Sequence, residues 1–288
     1  MATASELPID TSASAMDMAV AMFGHGITIV SASYTGAASA SGIYSDGDTV
    51  SPDLTPSDTG VILSTGNATD VTNEPGLLNL LADPNLSAET STDHALAGDA
   101  DLTAISGQET FDAAVFEAEF IPEGSTLTMQ IVFSSEEYLE YVNAGFNDAV
   151  GVWVNGVQAE LTVGTGDITI NNINDVSNAN LYMDNSTLSN AYNTEMDGFT
   201  VTLTLKAPVV AGEVNTIKIG IADGGDGALD SNLLIAGNSI QTSLIAEDDV
   251  IDVTRFAPVE TDLLANDTSA VGGTLTITEV NGQPVVVG

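Results

Sequence analysis

The chain has 288 residues, 43% of them hydrophobic, which is enough to bury a sizeable core and argues against a disordered chain. It carries 41 Asp and Glu against 3 Lys and Arg, a formal net charge of −38, so nucleic acids and anionic membranes are repelled and excluded as direct partners. The absence of cysteine removes disulfides, thiol catalysis and cysteine-zinc sites.

Residues 1–13 read as a polar lead without the basic and apolar regions of a secretory signal peptide. Ser12 to Phe23 is the best helix candidate. Met16, Ala19, Val20 and Phe23 would form its apolar face, Ser12 or Ser14 its cap and Gly24 its end. Strands are predicted at Ile27–Tyr34 and Gly60–Ser64, and a second short helix at Pro75–Leu81. The stretch from Asp83 to Thr110 is polar and weakly periodic, with Asp99 and Asp101 at alternate positions. Ala113–Ile121 is a strand with Phe116, Ala118 and Phe120 inward and Glu117 and Glu119 outward. The next strand points Leu127, Met129, Ile131 and Phe133 inward.

Ala149–Val154 is an apolar strand, and Asn155-Gly156 turns it into a return strand through Val157, Ala159, Leu161 and Val163. Further strands fall at Asp167–Asn174, Phe199–Leu205, Ile217–Ile221, Leu233–Ile235 and Ile240–Ile245. Many short strands with few helices predict an all-β fold, an antiparallel β-sandwich of jelly-roll type with one or two short helices. From Ala246 the texture changes, and 246–288 has about half the length of an Ig-like sandwich, with a hairpin signal at Asn281-Gly282. The expected domains are therefore 14–245 and a partial Ig-like segment, 246–288. No apolar run reaches the ~20 residues of a membrane-spanning helix.

Two loops concentrate acids. Glu136, Glu137, Asn147 and Asp148 lie between two core strands, and Asp223, Asp226, Asp230 and Asn232 lie in a glycine-rich loop. Calcium takes six to eight oxygens from such groups, about as these loops supply. Asp99 and Asp101 are a further candidate pair. Each of these segments also reads as a solvated turn, and the overall acidity reads as adaptation to salty surroundings. The second loop has neither EF-hand spacing nor the glycine-rich nonapeptide repeat. Paired carboxylates also suggest glycoside hydrolysis. Glu136 and Glu137 are adjacent, however, and in a strand they point to opposite faces. No serine-nucleophile, phosphate-loop or His-Glu motif accompanies them, so no enzyme is expected.

Several separated segments resemble the bacterial choice-of-anchor L domain: FSSEEYLEYVNAGFNDAVGVWVNG (133–156), GDADL (98–102), DAAVFEAEFIPEG (112–124), MDGFTVTLT (196–204) and IGIADGGDGALDSNLLI (219–235). Members usually carry proline after Glu-Glu-Tyr, where this chain has Leu139. The segment LLANDTSAVGGTLTITEVNGQPV is similar to the start of cadherin-like or Ig-like adhesin repeats. The resemblance implies an extracellular or cell-surface protein, and composition suggests export by a one-step route. The resulting expectation is a calcium-stabilised structural or adhesive protein that self-associates, or binds other surface proteins, by strand addition from its C-terminal segment. The alternative is a calcium-dependent carbohydrate-binding module that uses Tyr138, Tyr141, Trp153, Tyr182 and Tyr192 to hold glycans.

Overall fold

The computed structural model describes residues 2–73, 84–85, 90–186, 191–242, 279–280 and 283–284. The helix predicted at Pro75–Leu81 and nearly all of the C-terminal segment lie outside them. Two antiparallel sheets form a sandwich. The first is ordered β1 (Ile9–Asp10), β3 (Ser41–Tyr44), β4 (Gly60–Ser64), β15 (Ser231–Ala236), β6 (Thr126–Ser135), β12 (Gly198–Thr200) and β11 (Tyr182–Asp184). Strand β6 is its axis. β12 and β13 (Leu203–Pro208) lie along one flank, β15 and β16 (Gln241–Thr242) along the other, and β9 (Glu160–Leu161) extends the sheet beyond β13. The second sheet is ordered β10 (Ile168–Thr169), β7 (Ala149–Val154), β14 (Asn215–Gly224), β5 (Thr110–Pro122) and β2 (Ile27–Thr35), with β8 (Val157–Gln158) on β7.

Strict alternation sorts the core. Leu127, Met129, Ile131 and Phe133 of β6 meet Phe116, Ala118 and Phe120 of β5 and Ile217, Ile219 and Ile221 of β14 between the sheets. Glu117 and Glu119 point out, as the sequence requires. A smaller cluster lies on the outer face of the first sheet, where Ile62, Val132, Phe199 and Leu234 pack against Leu7, Leu54 and Met196. The Asn155-Gly156 turn forms as expected. Both residues have positive φ, 52° and 75°, and the register closes Val154 on Val157. Glu279–Val280 pairs with Gln283–Pro284, flanking the second predicted turn.

Other expectations are corrected. Helix α1 (Ala15–Met22) has Ser14 as cap in a reciprocal capping box with Asp17, but it buries Met18, Ala19 and Met22 and exposes Met16 and Val20. Residues 47–50 form a helical turn, α2 (Gly47–Val50). The stretch read as polar and weakly periodic contains α3 (Ala100–Ser106), which places Leu102 on the outer face of the second sheet beside Ala113, Val115 and Ala222. The single return strand expected at 157–163 is two pieces, β8 on the second sheet and β9 on the first. Ile168–Thr169 is the only strand in the predicted 167–174 run.

Candidate functional site

Both acidic loops cross from one sheet to the other at the same end of the sandwich. Residues 136–148 join β6 to β7, and 225–230 join β14 to β15. The register brings them together. Ser231 opposes Ser135 at one sheet's rim, Ala222 opposes Ala149 at the other's, and Glu136 N–H donates to the Asp230 carbonyl at 3.2 Å. The first loop is pinned by its own side chains. Tyr138, fully buried, donates to the Ile173 carbonyl at 2.7 Å, and Tyr141 meets Phe146 edge-on. The Tyr138–Leu139 peptide is cis. Asn147 donates to the Ser106 carbonyl at 2.7 Å and accepts from Asn171 N–H at 3.1 Å, tying α3 to the segment after β10.

Three buried carboxyl groups follow from this crossing. Asp148 accepts from Gly224 N–H at 2.9 Å and from the Ser231 hydroxyl at 2.6 Å. Burial still pushes it up to about 7, against those two hydrogen bonds, with Asp226 and Asp230 adding to the rise. Asp223 is pushed well above the ordinary carboxylate range by burial and then by Asp148, and its Oδ1 has no hydrogen-bond partner among the described residues. Asp230 accepts from Thr92 N–H at 2.7 Å through Oδ1, while its buried Oδ2 has no such partner. Its pKa is raised by burial. Gly66 lies against the Asp230 carboxylate so closely that a Cβ there would strike it. Among the described residues, no three Asp, Glu or His side chains converge closely enough to hold a metal ion by themselves. Hydroxyl, amide and backbone oxygens would have to complete any such site.

Glu136 and Glu137 are both buried. Glu136 accepts from the Thr90 hydroxyl at 2.5 Å, and burial pushes it up to about 8, with Asp197 and Glu195 adding to the rise. Glu137 N–H donates to the Ser135 hydroxyl at 2.9 Å.

The remaining candidates lie apart. Asp99 caps α3, accepting from the N–H groups of Asp101 and Leu102, and both Asp99 and Asp101 grip Lys218 at 2.7 Å. An amine and a helix end account for these two acids. Asp226 is exposed and accepts from Ala228 N–H within its own turn. Three participants escaped the sequence reading. Asp112 accepts from His94 and Leu96 N–H groups, the Thr65 hydroxyl accepts from Ser231 N–H, and Ser231 holds Asp148. Only the strand order brings them to this end.

The aromatic residues do not assemble a platform. Tyr182 packs on Tyr138 at 4.9 Å, Tyr192 on Phe199 at 5.0 Å, and Lys218 covers the Trp153 ring at 5.1 Å. Trp153 is half-buried on the outer face of the second sheet against the α3 cluster, rather than between the sheets.

No curated protein and no solved structure gives a significant match to the chain. The family model for the choice-of-anchor L domain matches residues 10–241, which takes in both sheets and both acidic loops. The segment beyond it is not matched as an adhesin repeat. No helix among the described residues is long and apolar enough to cross a membrane. The chain belongs to the choice-of-anchor L domain family, a non-enzymatic domain of cell-surface proteins.

Proposed function

We propose that this domain is a structural or adhesive module of the cell surface, and that calcium locks its loop end. The observation that carries the reading is the pair of buried carboxylate oxygens, Asp223 Oδ1 and Asp230 Oδ2, that have no hydrogen-bond partner among the described residues. Leaving ionised oxygens buried and unpaired is costly, and a hard cation removes that cost. Asp148, Asp223 and Asp230 would supply the charge, with hydroxyl and backbone oxygens of the two crossing loops completing the shell. The ion would then tie β6, β7, β14 and β15 together at one point, where the chain changes sheets. Assembly through the C-terminal segment is the remaining part of the proposal. It concerns residues 246–288, nearly all outside those described.

The test is thermal unfolding with light scattering, in calcium and in excess chelator, at fixed ionic strength. A ligand that binds only the folded state raises the melting temperature by mass action. The expected result is a calcium-specific rise that matched magnesium does not reproduce and that Asp223→Asn reduces. Growth of particle size with calcium would support assembly. Identical melting in calcium and chelator would overturn the cation reading.

A further inference from the structure

We propose a second calcium site, on the outer face of the first sheet, built on Glu136, Ser134 and Asn232 and separate from the one at Asp148 and Asp223. It rests on the cation reading above and extends it to Glu136, Ser134 and Asn232, which that reading does not use.

Asn232 of β15 and Ser134 of β6 are register partners, so their side chains stand together on one face of the sheet. That face is the outer one. Their neighbours two residues along, Leu234 and Val132, belong to the outer cluster, while Leu233 and Phe133 belong to the core between the sheets. Ser231, which holds Asp148, alternates with Asn232 and so falls on the inner side. The sheet itself separates Asn232 and Ser134 from Asp148, while Asp230, two residues before Asn232 and with its carbonyl accepting from Glu136 N–H, lies at the rim between the two places.

Asn232 is 1% exposed and Ser134 fully buried, yet Asn232 Oδ1 and Ser134 Oγ have no hydrogen-bond partner among the described residues. Such orphaned oxygens are uncommon in native interiors and call for a partner. Glu136 follows Ser134 by two residues and receives Thr90 through Oε1. The Asn232 amide donates to Met196 Sδ at 3.0 Å, and Met196 sits in sequence between Glu195 and Asp197, whose charges act on Glu136. The result is a hydroxyl, an amide oxygen and a carboxylate in a field of two further carboxylates, an all-oxygen donor set that suits calcium.

No described lysine forms an ion pair with Glu136, and Asp197 accepts from the Asn85 amide at 2.7 Å. Lys218 is engaged by Asp99 and Asp101, and Lys206 opposes Thr128, at the far end of β6 from Ser134. The three carboxylates do not converge on one point. Glu136 would therefore be the charged ligand, with Glu195 and Asp197 supplying field rather than direct bonds.

The test is calorimetric titration of calcium into the chelator-stripped full chain at about 0.15 M salt, where diffuse attraction to exposed acids is screened. Circular dichroism checks that each variant is folded. Two ions per chain are expected. Glu136→Gln should remove one and leave the other, Asp223→Asn should do the converse, and Asn232→Leu should weaken the Glu136 site about tenfold or more. If Glu136→Gln fails to fold, Asn232→Leu decides. A single ion, lost in Asp223→Asn and untouched in Glu136→Gln and Asn232→Leu, overturns the second site while the first stands. No bound ion in the wild type overturns both.

Discussion

Replacing Asp99 tests whether it serves as a helix cap or as a cation ligand. Its Oδ1 accepts from Asp101 N–H at 3.0 Å and Leu102 N–H at 3.3 Å, and both its oxygens face Lys218 Nζ, at 2.7 and 2.8 Å. Loss of an N-cap costs ~1 kcal/mol. The ion pair is about one-fifth exposed on each side, so solvent screening limits it to at most ~1 kcal/mol. Asp99→Ala should therefore cost ~2 kcal/mol, or roughly 4–8 °C in melting temperature for a domain of this size. Asp99→Asn keeps the capping oxygen, loses the charge and should cost about half as much. Both deficits should be the same in calcium and in chelator. A calcium-induced rise that shrinks in Asp99→Ala would make Asp99 a cation ligand and refute the cap assignment. No loss of stability in Asp99→Ala would refute the energetic reasoning.

Two further outcomes follow from the buried acids. In chelator, Glu136 (about 8) and Asp148 (about 7) have folded pKa values far above their ordinary ones, so the folded state holds more protons across the intervening range. Stability is then greatest near pH 4–5 and falls as pH rises towards 8. At ~1.4 kcal/mol per pH unit, Glu136 alone contributes a loss on the order of 4 kcal/mol. Denaturant melts from pH 5 to 9 check this, and stability that rises with pH would contradict it. Gly66→Ala places a methyl against the Asp230 carboxylate. It should cost ~1–3 kcal/mol and reduce the calcium-induced rise, whereas a wild-type response would free Asp230 from the proposed site.

The sheets were legible wherever one face of a strand is buried and the other wet. Phe116 to Phe120 alternates with two glutamates, and only one register buries the first set and solvates the second. Helix α1 shows where periodicity runs out. AMDMAVAM is apolar nearly all round, so Met16 and Val20 form as good a stripe as Met18 and Met22, and the choice falls to the packing against the sheets. Helix α3 was hidden for the opposite reason, since ADLTAIS has little apolar face. Its readable signals were its ends, Asp99 as cap and Gly107 in the left-handed conformation. The break between β8 and β9 left no mark, because alternation is the same whichever sheet a strand joins.

The candidate site divides along the same line. Each acidic loop can be read as a segment, but the expected opposite facing of Glu136 and Glu137 needs a strand, and β6 ends at Ser135, so both lie in the turn that follows it and both are buried. What cannot be read locally is that Asp148, Asp223 and Asp230 share one end. That depends on β6 lying beside β15 and on β14 lying beside β7, pairings between residues 63 to 104 positions apart in the chain. Once those pairings form, both loops must cross between the sheets at that end, and their acids are carried inside with the backbone. Their burial is thus a consequence of topology. An acid carried inside in this way must be neutralised by a proton or a cation, because the only ion pairs among the described residues are those of Lys218 with Asp99 and Asp101. The pH and calcium experiments measure that one competition from its two sides.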